Sequence, residues 1–257
     1  MYLCRFLYND IHPKYGLLDG SKIFSLNNLF HIELDFNFIK DFISDEVNAS
    51  DVKFLPPCEP SKIIGIALNY PGVGEINSNL DEPLVFIKGL NSLVLDNVPL
   101  VLKSSDMAWG ECELAAVIKH KVKNIKSNTV LDSILGFMPA NDITCNNFGN
   151  RDHHLARSKS VDGFCPVGKF IDLDYQYKNK KIQGYQNDIL IRDGNTNNMV
   201  YSIEKIIEWL SSWMTLNPGD IILSGAPPRV RKKQFLKSGD TYSVQLEGFD
   251  DLNIRVL

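Results

Sequence analysis

Along most of the chain, apolar residues occur in short runs or alternate with polar ones, and this pattern is typical of β-strands. Residues 111–118 alternate faces, so that Glu111 and Glu113 fall on one side of a predicted strand and Cys112 on the other. An apolar run at 134–138 leads to Asn141-Asp142. Continuous apolar runs predict further buried strands at 62–68, 84–88 and 221–223.

One segment has clear helical periodicity. Ser202 suits the N-cap of a helix running to Met214, and Glu204 suits its first turn. The segment carries one apolar stripe, which predicts packing against the core rather than a ligand site: Ile203, Ile206, Ile207, Leu210 and Trp213. Beyond it, the pattern predicts a closing hairpin that joins residues 241–247 to 252–256. The predicted fold class is therefore mixed β with few helices.

A Pro-rich stretch over 54–61 divides the chain and predicts a linker. The residues before it, 1–56, read as short strands and turns, with Asp19-Gly20 as a turn, and they predict a small N-terminal domain. The second predicted domain covers 62–257 and contains all the candidate chemistry described below.

Composition and charge narrow the class of protein. Of 257 residues, 44% are hydrophobic and 23% charged, which is a globular profile. The net charge of −4 argues against general nucleic-acid binding, which needs a basic surplus. No apolar run reaches membrane-spanning length, and the first residues do not resemble a signal peptide. The five cysteines form no CxxC pair, so we expect reduced thiols and a cytoplasmic protein without membrane partners.

The pair Glu111 and Glu113 is the most informative chemical feature. On a strand, the Cα atoms of these residues lie about 7 Å apart on one face. Two buried carboxylates resist ionising unless a cation lies between them, and Asp142 is a candidate third ligand for a hard divalent cation. The alternative is a solvent-facing pair on an edge strand, and the spacing alone favours that alternative.

Other candidates have weaker signals. Lys159 could neutralise a substrate carboxylate or stabilise an enolate, but an isolated loop lysine is the simpler interpretation. The small residues 224–226 could let backbone N–H groups approach an anion. The basic run 229–233 is interpreted as a solvated loop or helix start, with only a secondary role in attracting anions. His153 and His154 are interpreted as surface residues.

Several segments, taken in their order along the chain, resemble the fumarylacetoacetate hydrolase family. The resemblance covers roughly 62–257, and its order is more specific than any one motif. The segments are Leu68-Asn-Tyr70, Pro83–Lys88, Glu111–Ile118, Ala140-Asn-Asp142, Arg157–Ser160, Asp162–Gly168, Asp193–Thr196, Trp213–Gly225 and the closing hairpin.

This resemblance implies a mixed β roll or barrel core around a pocket, in a protein that is usually a homodimer. It implies a divalent cation, most often Mg²⁺ with Mn²⁺ or Ca²⁺ as alternatives, on Glu111, Glu113 and Asp142. It places Lys159 at the pocket lysine. It also implies a small-molecule substrate of the 1,3-dicarbonyl or 2-oxo acid class, contacted by Tyr70, Asn146, Ser224, Gly225 and Ala226.

The sequence departs from the family at several pocket positions. Val73 stands where family hydrolases carry the histidine that activates water, and Glu75 is the nearby candidate catalytic base. Asn146 replaces a pocket arginine, Gly149 a substrate-contacting glutamine, and Ala226 a loop threonine. These losses predict a larger, more apolar pocket that is less suited to a small dicarboxylate.

The sequence thus predicts a metal-dependent enzyme that works through a metal-bound enolate without water: a lyase, decarboxylase, tautomerase or cyclase. One alternative is a conventional C–C bond hydrolase of the acylpyruvate type whose base comes from elsewhere, such as His153 or His154. The other is a non-catalytic homologue that binds metal or ligand. Three retained carboxylates speak against the latter, because buried carboxylates are costly without a cation. Whether residues 70–82 form a lid is left open.

Overall fold

The computed structural model describes residues 1–9, 12–26, 43–74, 81–103, 107–147 and 151–257. Within these ranges strands far outnumber helices, as predicted. The strands are β1 Tyr2–Leu7, β2 Lys14–Asp19, β3 Lys22–Leu26, β4 Ile43–Asn48, β5 Lys53–Leu55, β6 Ile63–Ala67, β7 Leu84–Lys88, β8 Leu93–Leu95, β9 Ala108–Trp109, β10 Cys112–Ile118, β11 Ile134–Asn141, β12 Thr144–Cys145, β13 Cys165–Val167, β14 Ile171–Asp172, β15 Lys181–Gln186, β16 Ile189–Asn195, β17 Ile221–Leu223, β18 Thr241–Leu246 and β19 Leu252–Arg255.

The helices are α1, Ala156–Lys159, and α2, Ile203–Trp213, with short 3-10 turns at 49–51, 90–92, 127–133 and 196–198. Helix α2 begins where predicted, because the Ser202 side chain accepts a hydrogen bond from the Lys205 N–H at 3.4 Å. The apolar stripe is buried as expected from Ile203 to Leu210. The prediction that Trp213 packs against the core with this stripe is wrong. This residue, in the last turn, is 51% exposed and packs edge-on against Trp209.

One large sheet organises the molecule, with strand order β4-β3-β2-β1-β14-β11-β10-β17-β6-β7. Strand β10 pairs antiparallel with both β11 and β17, and all of its residues are buried. The alternative of a solvent-facing glutamate pair on an edge strand is therefore wrong. A second sheet, β16-β15-β18-β19, contains the predicted closing hairpin and lies against β10.

The N-terminal strands extend the large sheet rather than standing beside it. Tyr2 in β1 is paired with Asp172 in β14, and the predicted turn at Asp19-Gly20 joins β2 to β3. The division into domains 1–56 and 62–257 stays a prediction. All five cysteines are buried, and none of them forms a disulfide. Among the described helices, none has the length and apolar character needed to cross a membrane, and a cytoplasmic location stays a prediction.

Candidate active site

The pairing of β10 with β11 brings three carboxylates to one face of the sheet. Cys112 lies opposite Asn141 and Glu113 opposite Ala140, so Asp142 follows across from Glu111. The Asp142 N–H donates to the Glu111 carbonyl at 2.9 Å, which continues the ladder by one more residue. Because directly opposite residues of an antiparallel pair share a face, Glu111, Glu113 and Asp142 point the same way. One carboxylate oxygen of each lies within 4.8 Å of the others.

Two buried lysines neutralise Asp142. The Lys88 ammonium donates to Asp142 Oδ1 at 2.7 Å and to the Ile143 carbonyl at 3.1 Å. Lys159 donates to the other Asp142 oxygen, to Thr144 Oγ1 at 2.6 Å and to Glu111 Oε2 at 3.2 Å. Burial alone would lower the pKa of Lys159, but these carboxylates outweigh it and raise that pKa above its usual value. Lys159 is therefore an ammonium held among the carboxylates.

Glu111 is bound from the second sheet. Arg192, on β16 and only 1% exposed, pairs with Glu111 Oε1, while Thr144 Oγ1 donates to Oε2 at 3.1 Å. Burial alone would raise the pKa of the Glu111 carboxyl, but Lys159 and Arg192 outweigh it and hold that pKa well below its usual range. Glu111 is thus ionised and anchored between two sheets.

Glu113 has a different environment, without a cationic partner within 4.0 Å among the described residues. Its Oε2 accepts a hydrogen bond at 2.7 Å from the N–H of Gly225, a residue that follows the buried strand β17. Burial, and then the nearby Asp142 carboxylate, raise the pKa of Glu113 well above its usual range. The donor set fits a hard divalent cation, because three carboxylates converge and one of them lacks a counter-charge.

Basic residues complete the surroundings, contrary to the expectation of an apolar pocket. Arg229 Nη2 lies 3.9 Å from Glu111 Oε1, and the Arg229 guanidinium lies 5.7 Å from the centre of the Trp109 ring. The Lys233 ammonium lies 3.0 Å from the same ring centre. The interpretation of 229–233 as a solvated loop or helix start is therefore wrong for Arg229, which is held beside the carboxylates.

The predicted substrate-binding residues divide into two groups. Tyr70, Ser224, Gly225 and Ala226 are all buried. The Asn69 side-chain amide links the segment before Tyr70 to residues 224–226, since it donates to the Ser224 carbonyl at 2.7 Å. The Tyr70 hydroxyl is buried and has no hydrogen-bond partner among the described residues.

The other predicted residues that the structure describes make no hydrogen bond or ion pair with the three carboxylates. The Asn146 side chain donates to Met107 Sδ at 3.9 Å. His153 and His154 are exposed and, within the described structure, make no hydrogen bond or ion pair with the three carboxylates. Val73 is partly buried in the turn after Tyr70. Glu75 and Gly149 lie outside the described residues, as does the part of the segment 70–82 from 75 to 80.

Sequence reasoning missed Lys88, Arg192 and the position of Arg229. Lys88 was visible only as the end of a predicted strand. Arg192 interrupts an apolar run, Ile189–Ile191, and an isolated arginine after such a run is a weak signal for a buried ion pair. Backbone pairing brings both arginines to Glu111: Arg192 and Arg229 form an antiparallel bridge, and both side chains reach this carboxylate.

Comparisons with known proteins agree with this geometry. A family model described as the C-terminal part of fumarylacetoacetate (FAA) hydrolase matches residues 62–257. The chain is 36% identical to an uncharacterized protein of Methanocaldococcus jannaschii, over 84% of this chain and 89% of that one. It is 35% identical to the mitochondrial oxaloacetate tautomerase Fahd2a of Rattus norvegicus, over 77% of this chain and 67% of the other.

A solved structure shares the whole fold. The 5-carboxymethyl-2-hydroxymuconate delta-isomerase from Mycobacterium smegmatis superposes with a TM-score of 0.86 at 27% identity, covering 100% of this chain and 99% of that one. The mixed β architecture predicted from the sequence is thereby confirmed.

Proposed function

Because this chain belongs to the fumarylacetoacetate hydrolase family, as the matches over 62–257 and to the rat tautomerase show, we propose that it is a divalent-cation-dependent tautomerase. It interconverts the keto and enol forms of a 2-oxo acid whose C3 lies between two carbonyl groups. The observation that carries the proposal is the Lys159 ammonium, buried among the three carboxylates. The relatives with named activities are enzymes, including a tautomerase and an isomerase.

Glu111, Glu113 and Asp142 would hold the cation, for which we propose Mg²⁺, with Mn²⁺ and Ca²⁺ matching the same oxygen donors. When bound, the cation supplies positive charge that stabilises the oxygen of an enolate. Lys88 and Arg192 fix two of these carboxylates in place through direct ion pairs. Because these carboxylates are already held in place, binding of the cation costs little free energy of reorganisation.

Lys159 provides the second positive charge. Its ammonium has three donors and is held by oxygen atoms of Asp142, Thr144 and Glu111. All three donors are taken in this structure, so one of these bonds would pass to a substrate oxygen that develops negative charge. The ammonium would stabilise that charge in a buried environment, where electrostatic interactions are stronger than in water. Transfer of a C3 proton to solvent water, with the electron pair moving onto that oxygen, would give the enolate, and a proton returned from water to the oxygen would give the enol.

Tautomerisation is favoured over hydrolysis because it consumes no water. Val73 cannot accept a proton from water, and the exposed His153 and His154 do not contact the carboxylates in the described structure. A general base must reach the attacking water directly or through one water molecule. The described residues support enolate chemistry more strongly than water activation.

The test is exchange of the C3 protons of oxaloacetate for deuterium, followed by NMR in D₂O at saturating Mg²⁺. We expect the enzyme to accelerate exchange over Mg²⁺ alone. Lys159→Met should lower the enzymatic rate by about 10²–10³-fold, the usual cost of removing one donor from a developing oxyanion. Lys232→Met, which removes an exposed lysine, is the matched control and should leave exchange unchanged.

Two results would overturn the proposal. One is exchange no faster than with Mg²⁺ alone. The other is cleavage of an acylpyruvate at ordinary enzymatic rates, roughly 1–10³ s⁻¹. Cleavage would point to the conventional hydrolase, and single alanine variants of Glu75, His153 and His154 would then locate its base.

A further inference from the structure

The basic segment, which we define as residues 229–233, is fixed beside the carboxylates by backbone pairing. The Val230 N–H donates to the Ile191 carbonyl at 2.9 Å, and Arg229 pairs with Arg192 in an isolated antiparallel bridge. This pairing places Arg229 next to Glu111 and carries Lys233 over the face of Trp109. The position of Arg229 is therefore set by backbone pairing, and Lys233 follows in the exposed, irregular chain beyond it.

Positive charge exceeds negative charge in this part of the molecule. Four described cations, Lys88, Lys159, Arg192 and Arg229, lie beside the carboxylates Glu111, Glu113 and Asp142. A fifth, Lys233, lies over the Trp109 ring that Arg229 also contacts. A divalent cation would enlarge this excess. The site thus lacks negative charge, which an anionic substrate would supply.

Several donors are also left without acceptors. Arg229 Nη2 and Arg192 Nε are buried and have no hydrogen-bond partner in the described structure. Lys233 has no carboxylate within 4.0 Å among the described residues. Partial burial and the neighbouring Arg229 lower the pKa of Lys233, whose side chain is largely exposed, to about 8. Unpaired donors and crowded cations both cost free energy, and a bound anion would relieve both costs.

We propose that Arg229 and Lys233 bind a second carboxylate of the substrate and so select 2-oxo dicarboxylates over 2-oxo monocarboxylates. This inference rests on the proposed function and names its substrate class. Arginine matches a carboxylate with two parallel N–H donors, while the lysine ammonium adds a point charge. Trp109 holds both cations over its face.

This assignment reverses an expectation from the sequence. The family's pocket arginine and glutamine are Asn146 and Gly149 here, and their loss suggested poor binding of a small dicarboxylate. The Asn146 side chain points to Met107 instead. Arg229 and Lys233 restore positive charge from a different part of the chain, so the site still suits an anionic substrate.

The test compares oxaloacetate with 2-oxobutanoate, which differ only by a carboxylate in place of a methyl group. Dissociation constants are measured at fixed Mg²⁺ by stopped-flow tryptophan fluorescence, before oxaloacetate decarboxylates. Arg229→Gln should weaken oxaloacetate binding by about 10–100-fold, the usual range for a charge-assisted hydrogen bond, and leave 2-oxobutanoate binding unchanged. Lys233→Gln should act in the same direction. Lys232→Gln, an exposed neighbour, is the matched control and should change neither.

Equal losses of affinity for both ligands, or no loss for either, would overturn the inference.

Because Arg229 packs against Trp109, folding of its variant is checked by thermal melting, and the exposed Lys233 provides a variant that removes no buried side chain. The readout is binding rather than turnover. A wild-type protein that selects oxaloacetate without exchanging its C3 protons would refute only the proposed function, whereas exchange without charge selectivity would refute only this inference.

Discussion

The three carboxylates of the site differ in their number of cationic partners, and this difference decides which of them a divalent cation would stabilise most. Glu111 is paired with Lys159 and Arg192, and Asp142 with Lys88 and Lys159. Among the described residues, Glu113 is bound only by the backbone N–H of Gly225, at 2.7 Å. A buried carboxylate without a cation is the costly member of the set. Glu113 therefore gains the most from a divalent ion.

Saturating Mg²⁺ should raise the melting temperature, because a ligand that binds the native state stabilises it, by about 2.7 kcal/mol at 100 times the dissociation constant. Glu113→Gln keeps an acceptor for the Gly225 N–H but removes the charge, so the Mg²⁺-dependent rise should be lost. Differential scanning fluorimetry with and without Mg²⁺ measures this. Asp132→Asn, on an exposed residue, is the control, and an undiminished rise in Glu113→Gln would contradict the assignment.

Position 225 requires a glycine for two reasons, its backbone conformation and the lack of space for a side chain. Its φ of +93° lies in the left-handed region, and a Cβ there would lie 2.8 Å from the Ile66 carbonyl oxygen. Gly225→Ala should lower the free energy of unfolding by about 1–3 kcal/mol, measured by urea denaturation. Gly239 has a similar φ of +88° but open space around it, so Gly239→Ala is the control for conformation alone. Equal losses in the two variants would show that the close approach at Gly225 is unimportant.

Lys233 should make substrate binding depend on pH. Only the ammonium attracts an anion, and its pKa in the free protein is lowered to about 8 by burial and by Arg229. Affinity for oxaloacetate should therefore fall as pH rises through and above 8, since anion binding raises this pKa further. The charged groups acting on Lys233 are Arg229, Glu111, Arg192 and Lys159. Titrating affinity from pH 7 to 10 should give a flatter profile in Lys233→Gln, and an identical profile would refute the role.

At the scale of elements, a single helical turn places Lys159. Helix α1 follows Leu155, whose φ is +58°, and Asp152 holds its start. Asp152 accepts the Ser158 N–H and hydroxyl at 2.6 Å each and the Arg157 N–H at 3.2 Å. The turn is too short to be stable by itself, so these bonds position the lysine.

Asp152→Ala should destabilise the protein by about 0.5–2 kcal/mol, the cost of losing a cap. It should also slow C3 exchange, because Lys159 is then less well fixed. Asp152→Asn retains one acceptor oxygen and should recover part of both losses. Chemical denaturation and deuterium exchange measure the two effects. An exchange rate that stays at the wild-type value while stability falls would show that Asp152 supports only the fold.

Local patterns sufficed for the elements and for part of the site. The two-residue period placed Glu111 and Glu113 on one face, and the cap and stripe of α2 gave its bounds to within one residue. The local pattern offered Asp142 only as a candidate third ligand, and the family resemblance assigned it, because only the register of β10 with β11 shows that it lies across from Glu111.

The basic surroundings could not be predicted in this way. Arg192 is 81 residues from Glu111, and Arg229 reaches the site through its pairing with β16. Nothing in either local pattern distinguishes these arginines from solvated ones. The expectation of an apolar pocket failed for this reason: it counted the charges lost near Asp142 but not those contributed by distant segments.

At the scale of the whole molecule, the site lies where two sheets meet. Strand β10 is central in the large sheet and lies against β15 and β18 of the second sheet. Arg192 and Glu111 join the two sheets through a partly buried ion pair. Breaking such a pair leaves an uncompensated buried charge, so the chemistry and the packing of the two sheets depend on the same residues.

The homodimer implied by the family stays a prediction, and we propose it for this chain on that basis. Sedimentation velocity at micromolar concentration should give a single species with twice the mass of the chain. The wild-type protein sedimenting as a monomer across that range would contradict the proposal.

The central claim is that Glu111, Glu113 and Asp142 together hold one divalent cation beside Lys159. The most direct measurement is a crystal structure of the protein with Mn²⁺ and oxalate, a stable analogue of a 2-oxo acid, with the metal located by anomalous diffraction. We predict one strong anomalous peak in contact with an oxygen of each carboxylate, with oxalate completing the coordination and Lys159 within hydrogen-bond distance of it. A metal bound elsewhere, or no metal with Arg192 and the two lysines still paired to the carboxylates, would contradict the account.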